Sequence, residues 1–481
     1  MVWWTVPFSR GGGACRLSAH QVRPDAGIHS PKIPPHPRLM LKNTGITVAL
    51  AMLSMVGALG IDAYLPSFPA IIQDFQTTPL AVQQTLSIYV GAMAITTLFA
   101  GTLSDSFGRR PTVIVSLLLF TAGSALAIFA KDIQVLLVAR ALQGVAAGFG
   151  SVLSRTIVQD RFQGAEAQRV MALIMMVFSI APSFAPVIGG WLQATFGWHS
   201  VFIMLTGYGL VLWLLWQLGI PETLPNAQRM PLQLGRIVGN YGKVLCHRVF
   251  ILRALSIAMI FIGVAIYISS AAPYIINILG LSETSFAWMF IPMTLGMLGG
   301  SSASRRLARK VAPSRLIFVG FALMLGATFS SVVYTSVTTP QVPWAVIPLG
   351  IYTLGMTLAV PGMTVQVLSI FPQMRGLAAS LQSFVQMGIF ALVSAFVAPL
   401  LFHSAQWLAI AHFTGVIIAA LLWALGPRHE AGAGAAPAGH APGTPGPQGS
   451  PATSGPAAAP AIAQPVPENG APSSDTSKAR S

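Results

Sequence analysis

Residues 44–72 read TGITVALAMLSMVGALGIDAYLPSFPAII, an apolar stretch in which Asp62 is the one charged residue. A hydrocarbon core about 30 Å thick needs roughly 20 such residues in a helix, so this segment is expected to cross a bilayer. Segments of the same kind recur at approximately 79–103, 111–130, 133–157, 168–194 and 199–219. After a polar stretch, six more follow near 250–277, 284–304, 314–335, 343–370, 375–401 and 405–425. The fold class expected is an all-α membrane protein with twelve transmembrane helices in two six-helix halves.

Composition points the same way. The 481 residues are 54% hydrophobic and 8% charged, against roughly 25% charged in a soluble domain, which excludes a water-soluble fold. The formal charge of +15 is spread in short runs between apolar segments rather than gathered on one polar face, so no nucleic-acid partner is expected. The runs fix topology instead. Loops on one side carry sixteen cations, from Arg109 and Arg110 through Arg155, Arg161, Arg169, the stretch Arg229–Arg253 and the run Arg305–Arg315 to Arg375; the opposite loops hold only Lys131. Cations favour the cytoplasmic side, so both termini are expected in the cytoplasm of a multi-pass protein of the bacterial inner membrane. Cys15 and Cys246 suit neither a disulfide framework nor a metal site, and no metal is expected.

The domain reading follows. Residues 1–43 form an N-terminal extension expected to be disordered; it lacks a signal-peptide core, and Met40 is the expected natural start. A six-helix bundle over 44–220, a cytoplasmic linker over 221–248 and a second bundle over 249–426 come next. The Ala/Pro/Gly-rich tail, 427–481, cannot bury enough apolar surface to fold.

Two charges stand inside spans: Asp62, in Gly60-Ile61-Asp62-Ala63-Tyr64-Leu65-Pro66, and Arg140, in Leu137-Val138-Ala139-Arg140. A charge at a helix centre costs about 2.5–3.5 kcal/mol, so each should face a cavity or a partner. Asp62 lies about 15 Å from the outer end of its span and Arg140 about 10 Å from the outer end of its own, at 1.5 Å per residue. They are therefore expected to face each other across the outer half of a central cavity. In that arrangement Asp62 takes up and releases a proton while Arg140 biases its affinity; a permanent structural ion pair is the alternative.

Three motifs accompany these charges. The loop after the second span reads Gly101-Thr-Leu-Ser-Asp105-Ser-Phe-Gly108-Arg109-Arg110-Pro111. Gly101 and Gly108 permit close helix approach and a tight turn, and Asp105 can meet a helix N-terminus or a cation of the other half. In the fourth span, Arg140 leads into Gln143-Gly144, with Gly148 completing a small-residue face. The fifth span carries Ala181-Pro182-Ser-Phe-Ala185-Pro186-Val-Ile-Gly189-Gly190-Trp191, a bent helix with a Gly pair for close packing.

The first motif resembles the major facilitator loop signature, with Ser106 where Arg is common, and the second resembles the superfamily pattern R-x-x-Q-G. The third resembles the antiporter motif G-P-x-x-G-G, with Ala185 in place of the first Gly. Together with Asp62-Ala-Tyr64-Leu-Pro66-Ser-Phe-Pro69, Trp198-His199 and Pro221-Glu222-Thr223-Leu224-Pro225, they make the chain similar, over about residues 45–425, to the Bcr/CflA subfamily of drug:proton antiporters. The resemblance implies the major facilitator fold, Asp62 as proton site with Arg140 as its modulator, and Asp105 with Arg109 as a cytoplasmic gate that includes Gly101, Gly108 and Arg110. It implies an antiporter motif at Pro182, Pro186, Gly189 and Gly190, and multidrug efflux of the kind that underlies antibiotic resistance.

The function expected is proton-coupled efflux of small amphipathic drugs across the inner membrane by alternating access. The proton gradient supplies the energy, no cofactor is needed, and the chain is expected to act as a monomer in the lipid bilayer. Export of an amino acid, dipeptide or other metabolite is the nearest alternative. A membrane enzyme lacks any nucleophile, metal or nucleotide motif, so no catalytic residue is assigned, and a channel lacks rings of charge. Tyr64, Tyr89, Met93, Phe178, Tyr267 and Gln382 are the substrate contacts expected, since drug pockets are apolar with a few polar groups.

Overall fold

The computed structural model of the chain describes residues 37–229, 231, 234–308 and 310–426. The extension over 1–36, the tail 427–481 and Arg309 lie outside the described residues. The first span is α1 (Pro37–Asp62), a 3₁₀ turn at Leu65–Ser67 and α2 (Phe68–Asp74). It continues into α3 (Pro79–Phe107), α4 (Arg109–Ile128), α5 (Ile133–Arg161), α6 (Gly164–Phe196) and α7 (His199–Gly219). The linker holds α8 (Leu234–Leu245). The second half comprises α9 (Arg248–Ser269) with a π turn at Pro273–Ile278, α10 (Ala287–Leu307), α11 (Pro313–Val337) and α12 (Ile347–Leu368). It ends with α13 (Arg375–Leu392), a π turn at Val393–Val397, α14 (Ala398–Leu401) and α15 (Ala405–Leu425).

Eleven helical segments among the described residues are long and apolar enough to cross a membrane. The twelfth expected span corresponds to α10, which is made less apolar by Ser301, Ser302, Ser304, Arg305 and Arg306 at its end. Its 21 residues still reach about 31 Å, enough for a hydrocarbon core. It packs on α12 through Gly296 and Gly300, which lie against the backbone of Gly350 and Leu354.

Local chemistry sets the ends of the helices. Thr78 is extended and its hydroxyl accepts from the Ala81 amide at 3.2 Å, with Pro79 opening α3 where no amide donor is missed. Asp132 caps α5 in the same way, accepting from the Val135 amide at 2.9 Å. Helices α3 and α5 run on to Phe107 and Arg161, past the ends of their apolar segments. That extension brings Asp105 and Asp160 onto helices rather than into loops.

The halves meet unevenly. One hydrophobic core runs through the first half and into the second through Tyr267, Tyr274, Phe286, Phe290, Val346, Val393 and Leu408, at the face opposite the basic loops. The basic-face end of the second half has a separate core around Phe250, Ile257, Ile317, Met363 and Leu381. Direct hydrogen bonds between halves cluster at the opposite face too. Gln83 donates to the Ser394 hydroxyl at 2.9 Å, Gln84 to the Ala395 carbonyl at 3.0 Å, and Ser183 to the Phe290 carbonyl at 3.2 Å. At the basic face the linker reaches across, with the Tyr241 hydroxyl donating to the Leu98 carbonyl of α3 at 2.7 Å.

Candidate functional site

Asp62 is the last residue of α1, directly before the break that Pro66 and the 3₁₀ turn introduce. It is 2% exposed. Its Oδ1 has no hydrogen-bond partner, and no ion pair among the described residues includes it. Burying a carboxylate in that condition is costly, whereas a neutral acid is tolerated. The chain just beyond it is held by α6: Gly189 lies on the backbone of Ala63, leaving no room for a Cβ.

Arg140 is fully buried on α5, yet it does not face Asp62 as the sequence reading expects. Its guanidinium carbon lies 4.5 Å from the ring centroid of Tyr64 and 4.2 Å from that of Tyr89. One guanidinium nitrogen, Nη1, donates to Gln143 Oε1 at 2.8 Å, and the Gln143 amide donates to Ser124 at 2.7 Å. The negative faces of two aromatic rings therefore stand where a carboxylate was expected. The reason is the break at Ala63–Ser67, which brings Tyr64 rather than Asp62 onto the guanidinium. Tyr64 is fixed by its hydroxyl contact with Thr85 at 2.8 Å, and Tyr89 by donation to the Gly57 carbonyl at 3.1 Å. The close approach of α5 to α3 rests on Gly144 and Gly148, which lie against the backbone of Tyr89 and Met93.

The gate motif forms one compact cluster. Gly108 turns at φ 100° between α3 and α4, a conformation suited to glycine. Arg109 pairs with Asp105 at 2.6 Å and with Asp160 at 2.9 Å, and also donates to Ser104. Asp105 thus meets a cation of its own half, where the sequence reading allowed a helix N-terminus or a cation of the other half. The start of α4 is capped by Glu222, whose Oε1 accepts from the Arg109 amide at 3.0 Å while Arg229 stands 3.6 Å from its Oε2. An anion at a helix N-terminus satisfies free amides and the helix dipole together. Arg110 donates to the Gln217 carbonyl at 2.8 Å. Gly101, expected to admit a close neighbour, has open space where a Cβ would stand.

Sequence reasoning missed the roles of Glu222 and Asp160. Their signal was faint: acids among basic loops, one just before Arg161 and one within Pro221–Pro225.

The fifth-span motif works through packing. Pro182 and Pro186 lie inside α6, Gly189 meets Ala63, and Gly190 lies on the backbone of Glu283 in the second half. Ser183 adds hydrogen bonds to Phe290 and Thr294. One stretch of α6 therefore touches both the Asp62 break and the opposite half.

The expected substrate contacts fare differently. Tyr64 and Tyr89 are enclosed around Arg140, and Met93 packs near Gly57 of α1. Tyr267 is buried in an aromatic nest with His412 at 5.3 Å and Tyr274 at 5.4 Å between centroids. Gln382 is buried and donates to Thr364 at 3.3 Å. Tyrosines in spans look like drug contacts in sequence, but here the Tyr64 and Tyr89 rings hold a cation while their hydroxyls bond to Thr85 and the Gly57 carbonyl within one half. Phe178 does line an opening, a narrow crevice shared with Ser54, Ser151, Ser154, Arg155, Ile174 and Met175. A larger apolar groove of about 730 Å³ runs between α3, α9 and α13, past Ile88, Ile95, Phe384 and Leu392.

Comparison with known proteins places this geometry. The family model of the Major Facilitator Superfamily matches residues 50–393. The chain is 33% identical over 315 residues to the protein named Uncharacterized MFS-type transporter YdgK of Bacillus subtilis, covering 64% of this chain and 78% of that one. It is 28% identical over 395 residues to the Bicyclomycin resistance protein homolog of Haemophilus influenzae, covering 79% of this chain and 96% of that one. Multidrug resistance protein MdtM of Escherichia coli is 25% identical over 316 residues, covering 65% of this chain and 76% of that one. Among solved structures, the D-xylose-proton symporter matches with a TM-score of 0.64 at 18% identity, over 80% of this chain and 98% of that one, a likeness of fold alone.

Proposed function

The chain belongs to the Major Facilitator Superfamily, and on that footing we propose that it exports small amphipathic drugs across the bacterial inner membrane in exchange for protons. Relatives named for bicyclomycin resistance and multidrug resistance support the drug class. The observation that carries proton coupling is Asp62, a buried carboxyl whose Oδ1 lacks any partner.

The excess of cations supports reading the basic face as the cytoplasmic one. The halves share one core at the opposite face, which supports reading this as a state open toward the cytoplasm. The drug enters from that side. Rocking of the halves opens the periplasmic side, where Asp62 exchanges its proton, and α6 conveys the change because its Gly189–Gly190 pair touches the Asp62 break and Glu283 together. Arg140, held between rings, acts on Asp62 through the shared Tyr89 and α1 rather than by contact. The gate cluster of Asp105, Arg109 and Asp160 holds α3, α4 and α5 as one block and anchors the cytoplasmic end of the first half.

A panel of antibiotics and dyes tests this reading. Deletion should lower and overexpression raise resistance to several amphipathic compounds, and a protonophore should abolish the difference in dye efflux. Unchanged resistance across the panel, with altered export of an amino acid or dipeptide, would overturn it.

A further inference from the structure

We infer that Arg155 forms a subsite for one anionic oxygen group of the exported molecule, so that amphiphiles bearing a carboxylate or phenolate are favoured cargo. This rests on the efflux reading and sharpens its substrate class.

Arg155 lies on α5 six residues before its end at Arg161, and about 22 Å along the helix from Arg140. By sequence it is one more cation of the basic face. In the structure it instead lines the crevice between α1, α5 and α6, alongside Ser54, Ser151 and Ser154.

Its guanidinium has neither a hydrogen-bond acceptor nor an acidic partner among the described residues, in contrast to Arg109 with two carboxylates and Arg140 with Gln143 and two rings. The acid nearest along the same helix, Asp160, is committed to Arg109 at 2.9 Å. The three serines donate to backbone carbonyls, Ser54 to Ala51 at 2.6 Å, Ser151 to Gly148 at 2.9 Å and Ser154 to Ser151 at 3.4 Å. They cannot neutralise the cation, but each hydroxyl can turn toward an incoming oxygen. The Arg155 guanidinium, exposed rather than enclosed, therefore borders a polar slot whose lining residues include no acid.

The free volume, about 10 Å³, suits one water-sized group and not a whole drug. The remaining wall is apolar and adaptable, from Ile174, Met175 and Phe178. Such a slot seats a head group by charge-assisted hydrogen bonds while the ring system lies on the Met175 and Phe178 side. Ser54 lies eight residues before Asp62, about 12 Å along α1, so a bound molecule can reach toward the proton site without its anion meeting it.

The test uses the purified full chain and two dyes on one xanthene scaffold, anionic fluorescein and cationic rhodamine 6G, with binding followed by fluorescence anisotropy. Arg155→Gln should weaken fluorescein about tenfold, the worth of one charge-assisted hydrogen bond, and leave rhodamine 6G equal or tighter. Arg155→Lys, which keeps charge but not the fork, should fall between. Retained rhodamine binding reports that the variants are folded. Equal weakening of both dyes, an unchanged ratio of affinities, or no fluorescein binding to the natural chain would each overturn the inference. A failed drug panel with this selectivity shift intact would sink the efflux reading alone, and the reverse pattern would sink the subsite alone.

Discussion

Gly189 of α6 rests directly on the backbone of Ala63, the residue that follows the intramembrane acid. Any side chain at 189 must push α6 away from the α1 break or push the break itself. Gly189→Ala should therefore destabilise the protein by about 1–3 kcal/mol, the cost of overpacking, and reduce transport more than binding. Gly101→Ala is the control, since nothing stands where its Cβ would go. Thermal unfolding of purified variants and dye transport in vesicles check both.

Arg140 between Tyr64 and Tyr89 is a desolvated cation–π pair of contacts, each worth about 2 kcal/mol. Tyr89→Phe keeps the ring and loses only the hydroxyl bonds to α1, so it should be milder than Tyr89→Leu. A double-mutant cycle of Tyr89→Leu with Arg140→Met should return a coupling of about 1–2 kcal/mol in thermal stability. Additivity would mean that the ring does not hold the guanidinium.

Glu222 serves the Arg109, Arg110, Thr223 and Leu224 amides at once. Glu222→Ala leaves these donors unmet and should cost about 1–3 kcal/mol, whereas Glu222→Gln, which keeps an acceptor, should cost less. Chemical unfolding, or melting monitored by size exclusion, ranks the two.

The Tyr241 hydroxyl ties the linker helix to α3 through Leu98. Burial raises this hydroxyl above its ordinary range, with a hydrogen bond to Ser380 opposing the shift. It therefore remains a donor across working pH, and the tie is indifferent to the proton gradient. Tyr241→Phe removes the hydrogen bonds to Leu98 and Ser380, together about 1–2 kcal/mol, which should shift the balance of open states about five- to thirtyfold at every pH. Maleimide labelling of a Met175→Cys variant that also carries Cys15→Ser and Cys246→Ser measures that shift.

Much of the fold was legible because a bilayer demands local, continuous apolar runs. The segments near 199–219 and 405–425 became α7 and α15 with ends close to those expected. α10 was the weakest, its serines and arginines diluting the signal. The site was half legible. Asp62 and Arg140 declared themselves as charges where charge is expensive, but their mutual placement depends on a break of a few residues around Pro66, and no periodicity reports which side chain that break turns inward. Glu222 acts on Arg109 from 113 positions away, a contact that only the folded chain creates. Arg155 was hidden differently: counted among topological cations, it lies within the fourth apolar segment and lines a crevice that only the packed helices create.

The central claim, that Asp62 is the proton carrier, is tested most directly in inverted membrane vesicles with an acidic lumen. There the natural chain should accumulate a drug while protons leave, and a protonophore should stop it. Asp62→Asn should insert normally and still bind the drug, yet accumulate none against its gradient. Accumulation by Asp62→Asn at the natural rate, or transport by the natural chain that ignores the pH difference, would contradict the account.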